Sequence, residues 1–111
     1  MKVYLEAEKI ASQLDEIQDF SLQVYGKYDL EKSLLWMTEE LGEVISAIRK
    51  KRSFDEIEEE IGDLIAWVFN IANIQGLRIS RCYQKTLIKE INRQIKKYGK
   101  LKYLEMDRSL R

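Results

Sequence analysis

The sequence predicts an all-α fold in which four main helices form a bundle-like domain with antiparallel helices. Apolar residues recur at helical spacing along most of the chain, and no segment shows the alternation typical of a strand. Turn and cap signals divide the chain into four segments. A length of 111 residues is enough for one domain and too short for two. We therefore expect residues 1–111 to form a single domain.

The first two helices follow from their apolar positions. The first helix is predicted to end near Gly26, and its apolar residues are Val3, Ala7, Ile10, Leu14, Ile17 and Val24. The segment GKYDLEK then forms a short loop. The apolar residues of the second helix are Leu34, Met37, Leu41, Val44, Ile45 and Ile48.

Cap signals define the last two helices. Four basic residues, 49–52, suit the end of the second helix, and Ser53 with Glu56 predicts a capping box that begins the third. Gly76 is a natural residue to follow the third helix, and the fourth is expected from about Ser80 to Tyr98. The sequence leaves open whether the tail from about residue 99 is an extra helix or a mobile segment.

Composition excludes several classes of function. The 19 basic and 19 acidic residues cancel, so no overall positive charge attracts a nucleic acid polymer. No apolar run approaches the roughly 20 residues of a membrane span, and the N-terminus carries acids where a signal peptide would be apolar, so we expect a cytoplasmic protein. The chain has no His and a single cysteine, Cys82, so only carboxylates are strong candidates for chemistry.

Four acids fall within the two most apolar segments. A helical wheel at about 100° per residue places Glu40 and Glu43 beside the apolar arc of the second helix, and Glu60 and Asp63 beside that of the third. The members of each pair are three residues apart and share one helix face. Both pairs lie at matching distances from the short turn, so antiparallel helices bring all four inward-facing carboxylates together.

Crowded carboxylates in a partly apolar site either take up protons or bind cations. An all-oxygen ligand set favours Mg²⁺, for which Mn²⁺ can substitute, and protein-bound Mg²⁺ commonly completes its shell with water and substrate phosphate. The pattern therefore indicates phosphate chemistry. The plainer interpretation is that these are ordinary acids of a charged helical bundle.

The segments EELGE and EIGD resemble the paired E-E-x-x-E and E-x-x-D signature of the MazG-like nucleoside triphosphate pyrophosphohydrolases, an all-α superfamily. The resemblance covers roughly residues 30 to 98. It implies that Glu40, Glu43, Glu60 and Asp63 are catalytic Mg²⁺ ligands, and that Glu39 supports catalysis or orients water. The implied reaction converts a nucleoside triphosphate to its monophosphate and pyrophosphate through attack of water on the α-phosphorus. A house-cleaning role toward non-canonical nucleotides is implied by the resemblance alone.

Further side chains are candidates for contact with the substrate. Basic and amide groups on the last helix can meet phosphate oxygens, amides on the third helix lie near Asp63, and an aromatic ring flanks the acids. These candidates are Trp36, Asn70, Asn73, Lys89, Asn92 and Lys96. For the charged members, a solvated face is at least as simple an interpretation, and for Trp36 core packing is the simpler one.

The third helix also predicts self-association. Its apolar residues span about 220°, against the roughly 100° expected of a surface helix, so it needs cover on several sides. We expect a homodimer or a dimer of dimers.

The alternative to an enzyme is a helical interaction module whose acids bind a basic partner and release it at raised salt. A family member acting on another phosphoanhydride is a third possibility.

Overall fold

The computed structural model describes residues 2–104, and the side chains from residue 9 onward. It contains four helices and, within the described range, no strand, which confirms the all-α prediction. The helices are α1 (Lys2–Tyr25), α2 (Leu30–Arg49), α3 (Phe54–Gln75) and α4 (Ile79–Tyr98). Residues 99–104 form turns and no further helix, while the rest of the predicted tail and the side chains of Val3 and Ala7 lie outside the described part.

Local capping determines where the helices begin and end. The Ser53 hydroxyl accepts a 3.2 Å hydrogen bond from the Glu56 amide, as the predicted cap requires. Gly76 ends α3 in the left-handed conformation with φ 69°. The second helix begins four residues before its first predicted apolar position, because the Asp29 carboxylate caps it by accepting a 3.0 Å bond from the Lys32 amide. The predicted loop is therefore shorter than expected.

The helices pack as a hairpin, with α1 against one of its two helices and against α4. The hairpin is formed by α2 and α3, and α1 packs on both α3 and α4. Among the residues whose side chains are described, the buried apolar ones are few: Val44, Ala47, Phe69 and Ala72. Several residues predicted to face inward on α2 are exposed in the single chain, namely Leu34, Leu41, Ile45 and Ile48. The reason is that α2 packs mainly on α3, so one neighbouring helix covers only part of its apolar arc.

A buried glutamine fixes α1 to the turn between α3 and α4. Gln18 is 1% exposed, and its Nε2 donates to Asn73 Oδ1 at 2.8 Å and to the Leu77 carbonyl at 2.9 Å. Its Oε1 accepts a 2.9 Å bond from the Ile79 amide, the first residue of α4. An Arg78–Asp19 ion pair of 2.7 Å supports the same junction from the surface. This network holds the far end of α3 in place.

No helix in the described part of the chain combines the length and the apolar character that crossing a lipid bilayer requires.

Candidate metal centre and adjoining cleft

Three carboxylates from the hairpin converge in the groove between α2 and α3. One oxygen from each of Glu40, Glu60 and Asp63 lies within 4.8 Å of the other two, a spacing that suits a shared cation. Glu43 interacts with the carboxyl groups of Glu40 and Glu60 from one turn further along α2. The antiparallel hairpin therefore brings the two predicted acid pairs to one place.

The two inner acids are partly withdrawn from water. Glu40 and Glu60 are half-buried, and the Oε2 atom of each is buried with no hydrogen-bond partner among the described residues. Such an arrangement is unfavourable for a carboxylate unless a proton or a cation compensates it. By contrast, Glu43 and Asp63 are exposed, so the expectation that all four face inward is wrong for these two. They stand at the solvent side of the groove, which a single pair of packed helices leaves open.

Burial and mutual repulsion shift the titration of the inner acids. Burial is the main reason that the pKa of Glu40 is raised from 4.5 to about 7, and the nearby Glu43, Asp63 and Glu60 carboxyl groups add to it. The pKa of Glu60 is also raised, first by burial and then by Glu43 and Asp63. Without a cation, the cluster therefore holds a proton near neutral pH.

A cleft of about 200 Å³ adjoins the acid cluster and shares Asp63 with it. Its other lining residues are Tyr25, Tyr28, Ala66, Trp67 and Asn70. The ring centroid of Trp67 lies 5.9 Å from that of Tyr28 and 5.4 Å from that of Trp36, in tilted arrangements. The site thus combines a charged groove with an aromatic cleft.

Comparison with known protein families matches residues 29–97 to the MazG nucleotide pyrophosphohydrolase domain. The chain belongs to this family. The match covers the whole α2–α3 hairpin and nearly all of α4, in agreement with the extent of the resemblance read from the sequence. Membership implies a hydrolase that acts on phosphoanhydride bonds of nucleotides. Searches of curated proteins and of solved structures found no match to the chain.

Within the MazG domain, the predicted substrate residues occupy different surroundings. Asn70 is buried and lines the cleft, whereas Asn73 accepts the hydrogen bond from Gln18 and joins the α1 network. Trp36 packs on Trp67 and does not itself line the cleft. Glu39 is exposed on α2, apart from the converged oxygens.

The remaining candidates lie on α4 of the MazG domain. Lys89, Asn92 and Lys96 are exposed on this helix, which packs on α1. A role for these three residues in binding phosphate stays a prediction.

Sequence reasoning did not select Tyr25 and Tyr28 for the site. Tyr25 is the last residue of α1, and Tyr28 directly precedes the Asp29 cap of α2. Neither belongs to an amphipathic pattern that would direct it toward the acids. Their proximity to Trp67 depends on how α1 and the connection to α2 pack on α3, and periodicity within one helix does not contain that information. The sequence did offer one signal for them: two tyrosines lie close together near the loop before the helix that carries EELGE.

Proposed function

We propose that the protein is a magnesium-dependent nucleoside triphosphate pyrophosphohydrolase, which converts a nucleoside triphosphate and water to the monophosphate and pyrophosphate. The observation that carries the proposal is the convergence of Glu40, Glu60 and Asp63 within the MazG domain, with two of their oxygens buried and unpartnered. Hydrolysis of non-canonical nucleotides is the physiological role that we attach to it.

The donor set fits a hard divalent cation. All of the converged atoms are carboxylate oxygens, the ligands that Mg²⁺ and Mn²⁺ prefer. A cation would give Glu40 Oε2 and Glu60 Oε2 the partner that the described residues do not supply. We assign Glu40, Glu43, Glu60 and Asp63 as the residues that hold Mg²⁺, with Mn²⁺ as a substitute.

The chain's own groups have distinct tasks in the reaction. A divalent cation, when bound, supplies positive charge for phosphate oxygens and acidifies water. The water oxygen bonds to the α-phosphorus as the bond to the bridging oxygen breaks, and a carboxylate of the cluster takes the water's proton. Glu39, which is exposed next to the cluster in sequence, has the supporting role of orienting water.

The aromatic cleft is the place for the nucleoside. Asp63 belongs to both the acid cluster and the cleft wall, so a triphosphate held at the acids extends naturally into the cleft. Tyr25, Tyr28 and Trp67 offer apolar and aromatic surface on which a base can stack. Trp36 supports this surface through its contact with Trp67.

Product analysis tests the proposal directly. A panel of canonical and modified nucleoside triphosphates is incubated with Mg²⁺ in water labelled with heavy oxygen and followed by phosphorus NMR. We expect monophosphate and pyrophosphate as first products, with the label in the monophosphate. Orthophosphate and diphosphate as first products would sink the assignment, and no turnover across the panel would favour the interaction module.

A matched pair of variants tests the acid cluster. Glu60→Gln removes one converged carboxylate, whereas Glu58→Gln removes an exposed acid from the same helix. We expect the first change to reduce turnover by roughly a hundredfold or more, because several kcal/mol of transition-state stabilisation depend on the cation. The second change should leave turnover near the wild-type rate. Equal effects of the two variants would contradict the assignment.

A further inference from the structure

The cleft follows one face of α3 from the acid cluster to a buried amide. Asp63, Ala66, Trp67 and Asn70 are spaced at three, four and seven residues, so they line the same side of the helix. Asn70 lies about 10 Å along the helix axis from Asp63, at a rise of 1.5 Å per residue. A nucleotide whose phosphates lie at Asp63 would therefore direct its base toward Asn70.

The Asn70 side chain is held in one orientation by a short chain of hydrogen bonds. Its Nδ2 donates to Ser33 Oγ at 3.1 Å, and Ser33 Oγ donates to the Asp29 carbonyl at 2.7 Å. A hydroxyl group has a single proton to donate, and here that proton is directed to Asp29. Ser33 Oγ can then only accept from Asn70, so the amide nitrogen must face Ser33.

This orientation leaves Asn70 Oδ1 as a spare acceptor. Asn70 is 4% exposed, and its Oδ1 is buried with no hydrogen-bond partner among the described residues. Leaving a buried acceptor unpaired costs about 1–3 kcal/mol, so a purely structural link between α2 and α3 does not account for an asparagine here. A ligand donor that enters the cleft would remove this cost.

We propose that Asn70 determines the base specificity of the cleft, because its fixed Oδ1 accepts a hydrogen bond from an N–H group on the base edge. Ser33 acts as a positioning residue that keeps the acceptor toward the ligand. The proposal rests on the proposed function in taking the ligand to be a nucleotide. The site selects bases that present an N–H donor over otherwise similar bases that lack it, by roughly tenfold to a hundredfold.

Substrate pairs that differ in one donor test the proposal on the unmodified protein. Cytidine triphosphate is compared with the 2-pyrimidinone analogue that lacks only the exocyclic amino group, and adenosine triphosphate with purine riboside triphosphate. Uridine triphosphate is compared with its 3-methyl derivative. We expect kcat/KM to favour the donor-bearing member of at least one pair about tenfold or more. Equal kcat/KM within every pair would overturn the proposal.

Two variants separate selection from general binding. Asn70→Leu should abolish the preference for the donor-bearing substrate in the pair that shows it with the wild type. Ser33→Ala should weaken this preference because the amide can then rotate. Thr38→Val is the matched control for Ser33→Ala, since Thr38 also bonds the carbonyl four residues earlier on α2, at 2.9 Å to Leu34. The control should retain the full preference. An unchanged preference in both Asn70→Leu and Ser33→Ala would overturn the proposal.

Nucleoside binding without phosphate or metal separates this proposal from the proposed function. Cytidine and adenosine should shift the side-chain amide signal of Asn70 in nitrogen-edited NMR spectra, and at least one should bind about tenfold more tightly than its analogue without the amino group. Such selection in a protein that releases no pyrophosphate would support the role of Asn70 and refute the enzyme assignment. Pyrophosphate release with no selection within any pair would refute only the role of Asn70.

Discussion

At the scale of single residues, Glu40 and Glu60 have opposite effects on folding and on the proposed function: they disfavour the folded state without a cation, yet they are the groups proposed to bind one. Both are half-buried beside other acids, and both have a raised pKa, for which burial is the main cause. In the absence of a cation, this pair of acids does not stabilise the folded chain, since ionised carboxylates at close range repel each other. Removing a charge from the cluster can therefore stabilise the folded protein while it reduces activity.

Glu60→Gln should show this conflict in thermal melts. In chelator, the variant should be more stable than the wild type, because one ionisable group is removed from a crowded, half-buried cluster. In Mg²⁺ at a hundred times its Kd, the wild type should gain about 2.7 kcal/mol and the variant much less. Glu58→Gln is the control and should follow the wild type in both conditions. A variant that is less stable in chelator yet responds fully to Mg²⁺ would make Glu60 a structural acid.

The metal-free protein should also lose stability as pH rises through the titration of Glu40. Below pH 4.5 this residue is protonated in both the folded and unfolded chains, so it contributes no difference. Between 4.5 and about 7 the unfolded chain releases the proton while the folded protein retains it, so the free energy of unfolding falls as pH rises. Urea unfolding in chelator across this range measures the fall. Glu40→Gln should reduce the slope, whereas Glu39→Gln, an exposed neighbour, should not; equal slopes in all three proteins would contradict the prediction.

At the scale of helices, the ends of a helix can be predicted from local sequence, whereas the burial of its side chains depends on tertiary contacts. Ser53, Gly76 and Tyr98 could be placed from the sequence because capping depends on residues within one turn. It was also predictable that the acids of α2 and α3 would lie side by side, since a short turn enforces an antiparallel hairpin and the acids lie at matching distances from that turn. The exposure of Glu43 was not, because it depends on which neighbours cover α2.

The role of Gln18 could not be predicted for the same reason. Its partners lie 55 or more residues away in sequence, at Asn73, Leu77 and Ile79. A glutamine next to the apolar positions of α1 looks like an ordinary edge residue until α3 and α4 are in place. The network that it forms holds α1 against the end of the helix that carries Glu60 and Asp63.

Gln18→Ala should therefore destabilise the protein by about 2 kcal/mol or more, because it leaves three polar groups at the α3–α4 junction without their partner. Gln23→Ala is the matched control, since Gln23 is an exposed glutamine on the same helix. That change should stay within about 0.5 kcal/mol of the wild type. Urea unfolding monitored by circular dichroism measures both values. A loss in Gln18→Ala no greater than in the control would show that the network contributes little.

At the scale of the whole molecule, the described part of the single chain exposes many large apolar side chains. Its radius of gyration is 16.7 Å, whereas a compact chain of this length is expected near 13 Å. Its accessible surface is 9186 Å², against about 6,400 Å² for a folded monomer of this mass. The exposed residues include a stripe on α3 formed by Ile61, Ile65 and Val68 at helical spacing. Burial of this stripe by a second copy is the simplest way to cover it.

We therefore expect light scattering at micromolar concentration to show a homodimer or a dimer of dimers. Ile65→Glu should shift the population toward monomer and lower the melting temperature, because it puts a charge in the centre of the α3 stripe. Gln75→Glu adds the same charge at an exposed polar position of α3 and should leave the assembly intact. A wild-type protein that remains a stable 13.2 kDa monomer would refute the expectation. An assembly that tolerates Ile65→Glu as well as Gln75→Glu would instead place the interface on another face, such as the side of α1 on which Ile10, Ile17 and Val24 are exposed.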